Sequence, residues 1–153
     1  MNETENRVGD CDYKSLFGSR YATALDLEGK QATLTISHLT REELANPETG
    51  DVAEKVIVYF QGAKKGMVLN RTNATCIAGM FGPRTGAWPG KRVTLHATPV
   101  QVGPKRELGI RVLGSPDISE PIQVVVVLPR RKPITMTMIP TGRQQGREPG
   151  EEG

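Results

Sequence analysis

The chain has 153 residues, of which 37% are hydrophobic and 5% aromatic, so it suits one domain with a core and excludes two full domains. No window approaches the roughly 18 consecutive apolar residues of a membrane span, and the start lacks the basic and apolar regions of a signal peptide. We therefore expect a cytoplasmic protein with no membrane partner. Its two cysteines lack metal-ligand spacing, which predicts free thiols in a reducing compartment.

The net charge of +3 conceals a strong asymmetry along the chain. Residues 1–53 hold 5 Lys and Arg against 10 Asp and Glu, whereas residues 54–147 hold 15 against 4. The basic charge therefore belongs to the second part of the chain. A positive field of that density attracts polyanions, although a solvated surface on an ordinary basic protein gives the same count.

In chain order, residues 1–19 are polar without a period and predict a flexible lead-in, and residues 21–27 enter the fold. The first predicted strand spans residues 32–39. Its apolar residues change parity between Ile36 and Leu39, which predicts a β-bulge. Residues 40–52 are polar and acidic and predict a loop.

Five further elements follow at short intervals. They are strands at residues 55–60 and 67–69, a helix at 72–81, and strands at 92–98 and 108–112. The resulting order, β-β-β-α-β-β, is typical of an OB barrel. We therefore predict an all-β fold with one short helix, in which an OB-fold-like five-stranded barrel spans residues 20–114.

The helix prediction depends on apolar spacing and on signals at both ends. Four apolar residues form one stripe at helical spacing: Ala74, Ile77, Ala78 and Phe81. Asn70 or Thr72 can cap the start, and Gly82 ends the helix. A helix of about three turns is unstable alone, so we expect it to lie against the barrel.

Residues 115–140 predict a C-terminal β-hairpin appended to the barrel, with strands at 122–128 and 134–139 joined by a basic loop. The run at residues 124–127 lacks alternation, so both of its faces are expected to be buried, either under the barrel or against a second subunit. Residues 141–153 have no apolar anchor and predict a disordered tail.

An enzyme needs convergent nucleophiles, acids or metal ligands, and this chain offers few of them. His38 and His96 are the only histidines and lack paired ligand spacing, so each is interpreted as a strand-surface residue. We predict no catalytic residue, metal site or cofactor. Trp88 stands before a core strand and is interpreted as a packing anchor, with base stacking as the alternative.

Single-stranded nucleic acid requires a cationic groove and flat rings on which bases stack. If Val56, Val58 and Phe60 point into the barrel, then Ile57 and Tyr59 point outward. Tyr59 is the candidate stacking ring, and covering an apolar face is its alternative role. The candidate phosphate contacts are basic residues on strands and hairpin tips: Lys55, Lys64, Lys65, Arg92, Lys105, Arg106, Arg111, Arg130, Arg131 and Lys132. Any one of them alone is better explained as a solvated surface residue, so the prediction depends on their clustering.

Three motifs stand together in this chain: Leu27-x-Gly29-Lys30 before a Thr-rich strand, Lys65-Gly66-x-Val68-Leu69-Asn70-x-Thr72-Asn73 at the helix start, and Trp88-x-Gly90-Lys91-x-Val93-Thr94-Leu95. Over residues 21–113 the chain therefore resembles a family of small, mostly uncharacterised bacteriophage and prophage proteins with an OB-like barrel pattern. The resemblance implies a role in DNA replication or recombination in a bacterial host, and it transfers no catalytic residue. The hairpin after residue 115 lies outside the family pattern.

The leading hypothesis is a non-catalytic single-stranded DNA-binding protein of phage or prophage origin, in the cytoplasm of the bacterial host. Whether DNA or RNA is preferred stays open, and replication or recombination proteins are candidate partners. The alternative is a protein-interaction module, an accessory or inhibitor of a host or phage enzyme. That module would use the barrel and the hairpin at residues 122–139 to dock on a partner or to form a homo-oligomer.

Overall fold

The computed structural model describes residue 10 and residues 21–27, 29–46, 48–102 and 104–142. Within these residues the fold is mainly β, with one seven-stranded sheet and one α-helix, which confirms the prediction at that level. The elements are β1 (Ala32–Ala45), β2 (Val52–Phe60), β3 (Met67–Leu69), α1 (Arg71–Phe81), β4 (Arg92–Val102), β5 (Lys105–Ser115), β6 (Ile122–Val126) and β7 (Ile134–Pro140). Their order in the sheet is β3-β2-β1-β4-β5-β7-β6.

The first strand is long enough to belong to two ladders. Residues 32–35 pair antiparallel with β4, where Ala32 lies opposite Leu95, and the rest of β1 pairs antiparallel with β2. The register shifts between Ile36 and His38, which confirms the predicted bulge. Because a bulge bends a strand and increases its twist, one strand can serve two ladders that diverge.

Two hairpin arms extend beyond the neighbouring strands. We call residues 41–55 the β1–β2 arm and residues 98–109 the β4–β5 arm, and among the strands each arm pairs only with itself. Exposed apolar side chains mark both arms, since Val52 on the first is 61% exposed and Leu108 on the second is 57% exposed. Backbone hydrogen bonds rather than a core therefore hold these segments together.

The arms correct two predicted loops. The predicted loop at residues 40–52 is wrong as far as Ala45, because β1 continues to that residue. Between residues 98 and 108, where the two predicted strands leave a loop, the prediction is also wrong, since β4 continues to Val102 and β5 begins at Lys105. A strand that is wet on both faces has no apolar alternation, so periodicity in the sequence could not reveal it.

Both ends of α1 follow the sequence signals, whereas its buried face does not. Asn70 is the cap and accepts the N–H of Asn73 at 2.8 Å, and Gly82, with φ of 101°, ends the helix. The buried residues are Asn73, Cys76 and Ile77. Three members of the predicted apolar stripe are only half-buried: Ala74, Ala78 and Phe81. The buried face of α1 is rotated relative to the predicted apolar stripe, because α1 packs against β5 and also against β6.

The gap between β3 and β5 is bridged by a side chain and by a short segment. Asn73 of α1 donates its amide to the carbonyl of Ile110 at 3.0 Å and accepts the N–H of Val112 at 3.1 Å. It thereby takes the place of a neighbouring strand along β5. Beside β3, Tyr21 forms a parallel bridge with Gly66, and the N–H of the following residue donates to the Gly66 carbonyl at 2.8 Å.

The two C-terminal strands pair antiparallel, which confirms the predicted hairpin, and β7 joins β5 in parallel at Gly114. A Cβ at residue 114 would lie 1.9 Å from the carbonyl oxygen of Ile139, so only glycine permits this approach. Thr141, expected to begin a disordered tail, is buried, and its Oγ1 lies 2.7 Å from that of Thr94. Residues 143–153, and the predicted lead-in apart from residue 10, lie outside the described residues.

The valine run of the hairpin alternates in burial within one chain, so the alternative in which both of its faces are buried under the barrel is wrong. Val124 and Val126 are buried in the core, whereas Val125 is 55% exposed and Val127 is 59% exposed. The reason is that α1 covers only one face of β6, where a Cβ on Gly79 would meet a methyl of Val124 at 2.5 Å.

One continuous core lies between one face of the sheet and α1, and it includes residues of the C-terminal hairpin. Its fully buried members include Ile36, Val58, Ile77, Val93, Val112, Val126 and Met138. Trp88 is 2% exposed and donates its Nε1–H to the carbonyl of Gly82 at 3.0 Å. The interpretation of Trp88 as a packing anchor is therefore confirmed.

Candidate nucleic-acid interface

Two stacked rings lie on the outer face of β1 and β2, opposite the core. His38 and Tyr59 are cross-strand partners, their ring centroids lie 5.0 Å apart and their planes differ by 16°. His38 is exposed, and Oγ of Ser37 lies 2.9 Å from its Nδ1. The imidazole is therefore the more exposed ring of the stacked pair.

The carboxylate of Glu42 gathers three hydroxyl groups on the same face. It accepts hydrogen bonds from Tyr59 at 2.6 Å, from Thr40 at 2.7 Å and from Tyr21. Hydrogen bonds to a charged acceptor are stronger than neutral ones, so this carboxylate fixes both tyrosine rings. This acidic residue thus holds the aromatic side chains in place.

Tyr21 lies across β2 on this outer face. Its backbone pairs with Gly66 beside β3, whereas its hydroxyl reaches Glu42 on β1, so its side chain must cross the strand between them. Ile57 of β2 shares that face with Tyr59, as predicted, and it is fully buried there. We call His38, Tyr59 and Tyr21 the ring platform.

Three of the predicted cations lie on β2 or in the turn after it. Lys55 and Lys64 are exposed. Lys65 is held by Asp26, with 3.0 Å between Nζ and Oδ1. The pKa of Asp26 lies below its ordinary value of 3.8, first because the backbone N–H of Thr23 donates to the carboxylate and then because Lys65 pairs with it. Lys55 and Lys64 are thus more available for a phosphate than Lys65.

A cavity of about 440 Å³ lies between residues 21–24, which we call the Tyr21 segment, β3 and the β4–β5 arm. Arg111 lines it, together with Val68 and Glu107. Burial lowers the pKa of the Arg111 guanidinium, which still carries its charge at neutral pH. Burial also raises the pKa of the nearby Cys76 thiol to about 11, so that thiol is protonated and a weak nucleophile.

The remaining predicted cations lie on three other parts of the fold. Lys105 and Arg106 are exposed on the β4–β5 arm, directly before Glu107 of the cavity. Arg92 is held by Asp117, with 2.6 Å between Nη2 and Oδ1, and this bond is the main cause that lowers the pKa of Asp117. The loop between β6 and β7 exposes three cations: Arg130, Arg131 and Lys132.

The structure thus divides the predicted site residues into groups. Tyr59, Lys55 and Lys64 belong to β2 and its turn, and Arg111 lines a cavity on the strand that also begins with Lys105 and Arg106. Arg92 faces a carboxylate instead of a groove, and the loop at residues 130–132 belongs to strands at the far end of the sheet order from β3. The cations of β2 and β5 are therefore the better candidates for one binding surface.

Sequence reasoning missed three residues of the ring platform and its support: Tyr21, His38 and Glu42. A signal for His38 existed, because the predicted bulge after Ile36 changes which β1 residue shares a face with Tyr59. Nothing local indicates that a carboxylate on β1 and a tyrosine ahead of it in the chain would meet over β2.

No protein-family model matches the chain, and neither a curated protein nor a solved structure matches it. Among the residues that the structure describes, no helix is long and apolar enough to cross a membrane. The candidate function therefore depends on the geometry of the side chains described above.

Proposed function

We propose that this chain is a non-catalytic single-stranded DNA-binding protein built on an OB-like barrel. The order β3-β2-β1-β4-β5, with α1 between β3 and β4, supports the barrel proposal because OB folds have this connectivity. Asn73 and the Tyr21 segment then occupy the seam between β3 and β5. The outer face of β1–β3 becomes the binding surface.

The observation that carries this proposal is the exposed imidazole of His38 stacked on Tyr59. A base can stack on the outer face of His38, and one base–aromatic stack contributes roughly 1–3 kcal/mol. Every base has a flat face, so this contact needs no particular sequence. Glu42 supports the function by holding Tyr59 and Tyr21 rigid before the strand arrives.

In the proposed complex, the phosphates of the DNA contact the basic residues that form no ion pair within the described part of the chain. Lys64 lies in the turn after Tyr59, and Lys105 and Arg106 lie on the β4–β5 arm beyond the cavity of Arg111. Within the described residues Lys64, Lys105 and Arg106 form no ion pair, so each can neutralise a phosphate without first losing a partner. A strand that stacks on His38 and crosses β3 would meet the cavity next.

Replication or recombination of phage or prophage DNA is the setting we propose for this binding, as the family resemblance implies. Such work needs a protein that coats or hands over single strands without cutting them. A protein-interaction role is the second candidate, favoured by three exposed apolar side chains on the C-terminal hairpin: Val125, Val127 and Ile134.

Fluorescence anisotropy with a labelled oligonucleotide tests the proposal. Single-stranded DNA, single-stranded RNA and a DNA duplex of one sequence are titrated at several salt concentrations. We expect the single strands to bind more tightly than the duplex, with log K falling by about 0.7 per log unit of salt for each phosphate neutralised. No binding of any single strand at low salt would remove the proposal.

Substitutions at His38 test the ring itself. His38→Ala should weaken binding about 5- to 150-fold, which corresponds to one lost stack of roughly 1–3 kcal/mol. His38→Phe keeps a flat ring and should bind within about threefold of the unmodified protein. Equal losses in the two variants would mean that the imidazole is not a stacking surface.

A further inference from the structure

The last strand of the sheet has an open edge. β6 pairs with β7 on one side and is the terminal strand in the order, so its other side has no strand neighbour within the described residues. Proteins usually protect such an edge with a lysine, a proline, a bulge or a covering loop. β6 contains none of the first three, since its residues are Ile, Gln, Val, Val and Val in one regular ladder.

Next to this edge the outer face of β6 carries exposed apolar side chains. Val125 is 55% exposed, and Val127, which directly follows the strand, is 59% exposed. They are two of the five large apolar residues that stand exposed in the described part of the chain. An uncharged strand of high β-propensity with such a face is a template for strand addition.

We propose that β6 pairs antiparallel with β6 of a second copy of this chain. In the register that pairs all five residues, Ile122 lies opposite Val126, Gln123 lies opposite Val125, and Val124 lies on the two-fold axis. The interface is then self-complementary, as a two-fold dimer requires. The two seven-stranded sheets become one continuous sheet.

Charge distinguishes a second copy from an unrelated partner. Glu120 precedes β6, whereas Arg130 and Arg131 follow it, and all three are exposed without ion pairs among the described residues. Antiparallel pairing brings Glu120 of each copy to the end where the other copy carries its two arginines. Parallel pairing would instead place the cations of both copies side by side. The chain therefore carries both halves of the complementarity that the antiparallel dimer needs.

This dimer uses residues other than those proposed to bind nucleic acid. β6 carries no residue of the ring platform, which lies on β1, on β2 and in the segment that contains Tyr21. Loss of dimerisation and loss of nucleic-acid binding can be measured separately on the same variants.

Light scattering coupled to gel filtration tests the dimer, with the complete chain and without nucleic acid. We expect twice the mass of one chain. A variant with Gln123→Lys and Val125→Lys places lysines directly opposite each other across the axis, and it should have the mass of one chain. A variant with Gln123→Glu and Val125→Glu should also be monomeric, and an equal mixture of the two variants should restore the doubled mass.

The matched control is Val52→Lys, which adds a charge at an equally exposed valine on the β1–β2 arm and should leave the dimer intact. Circular dichroism of each variant establishes that it is folded. The proposal is overturned by an unmodified protein with the mass of one chain at its highest soluble concentration. It is also overturned if the lysine variant still has the doubled mass, or if the mixed variants stay monomeric.

Discussion

Asn73 shows how much of the fold can depend on one buried polar side chain. It is 1% exposed, and its amide bonds to two backbone groups of β5 that no strand satisfies. The side chain therefore makes the hydrogen bonds that a neighbouring strand would make along this edge of β5. An apolar residue at this helix position would leave the N–H of Val112 buried without a partner, and it would leave the carbonyl of Ile110 with only the Nη1–H of Arg111 at 3.2 Å.

We expect Asn73→Ala to lower the free energy of unfolding by about 1–3 kcal/mol, because the buried N–H of Val112 loses its partner and the carbonyl of Ile110 loses one of its two side-chain donors. Chemical denaturation followed by circular dichroism measures the change. Thr75→Ala on the same helix is the control, since it removes only a hydroxyl bond to the carbonyl of Arg71 and should cost under about 1 kcal/mol. Equal losses would contradict the role of Asn73 as a substitute strand.

At this scale the sequence indicates a side chain's type but not its distant partner. Trp88 and Asn70 were predicted in their roles because both act on residues close in the chain. Glu42 and Tyr59 are 17 residues apart, and Tyr21 and Glu42 are 21 apart, so their contacts depend on the register of three segments. The ring platform could therefore not be read from local pattern alone.

At the scale of elements, the predictable parts are those that contain apolar residues bounded by turn or cap signals. α1 and the core segments of β2 and β4 contain such residues, and the structure contains all three elements. The two arms lack a dry face, and their strands were predicted too short. The burial of the valine run at residues 124–127 was mispredicted for the opposite reason. All four residues are apolar, so the sequence does not show which of them are buried, and the alternation arises because α1 covers only one face of β6.

The contact between β5 and β7 depends on a glycine. Gly114→Ala places a methyl group 1.9 Å from a backbone oxygen, which cannot move like the end of a flexible side chain. We expect β7 to separate locally from β5, with a loss of about 1–3 kcal/mol in stability. Gly86→Ala is the control, since a Cβ there meets nothing within 4 Å.

Reaction of Cys76 with a thiol reagent reports this separation, in a background that carries Cys11→Ser. The thiol is fully buried, its Sγ lies 3.9 Å from Sδ of Met136 on β7, and its pKa is about 11. It should react slowly at neutral pH in the unmodified protein and in Gly86→Ala. Gly114→Ala should react at least tenfold faster, and an unchanged rate would show that the hairpin stays seated.

For the whole molecule, the arms differ in charge. The β1–β2 arm has five acids: Glu42, Glu43, Glu48, Asp51 and Glu54. Against them stand only Arg41 and Lys55, and Arg41 pairs with Glu54 at 3.5 Å. Lys105 and Arg106 on the β4–β5 arm face the single acid Glu107. The segment charges were predictable from counting, but their separation onto two arms was not, because the arms themselves were predicted as loops.

A polyanion should therefore approach the β4–β5 arm first. Lys105→Ala with Arg106→Ala should slow association with single-stranded DNA several-fold at low salt, and Glu48→Gln with Asp51→Asn should accelerate it. Stopped-flow mixing at low and high salt measures both rates, and the differences should vanish at high salt because the charges are screened. Arg84→Ala, an exposed cation outside the arms, should change little. Insensitivity to all of these changes would mean that charge does not guide the encounter.

The two-sided pairing of β1 has a consequence for how the chain is made. Residues 36–45 find their partner as soon as β2 has left the ribosome, but residues 32–35 pair with a strand that is synthesised much later, since Ala32 meets Leu95. At about 5–20 residues per second the front of β1 waits for seconds before its ladder can form. During that interval residues 32–35 of the nascent chain have no strand partner in β4, and we expect a chaperone to bind there.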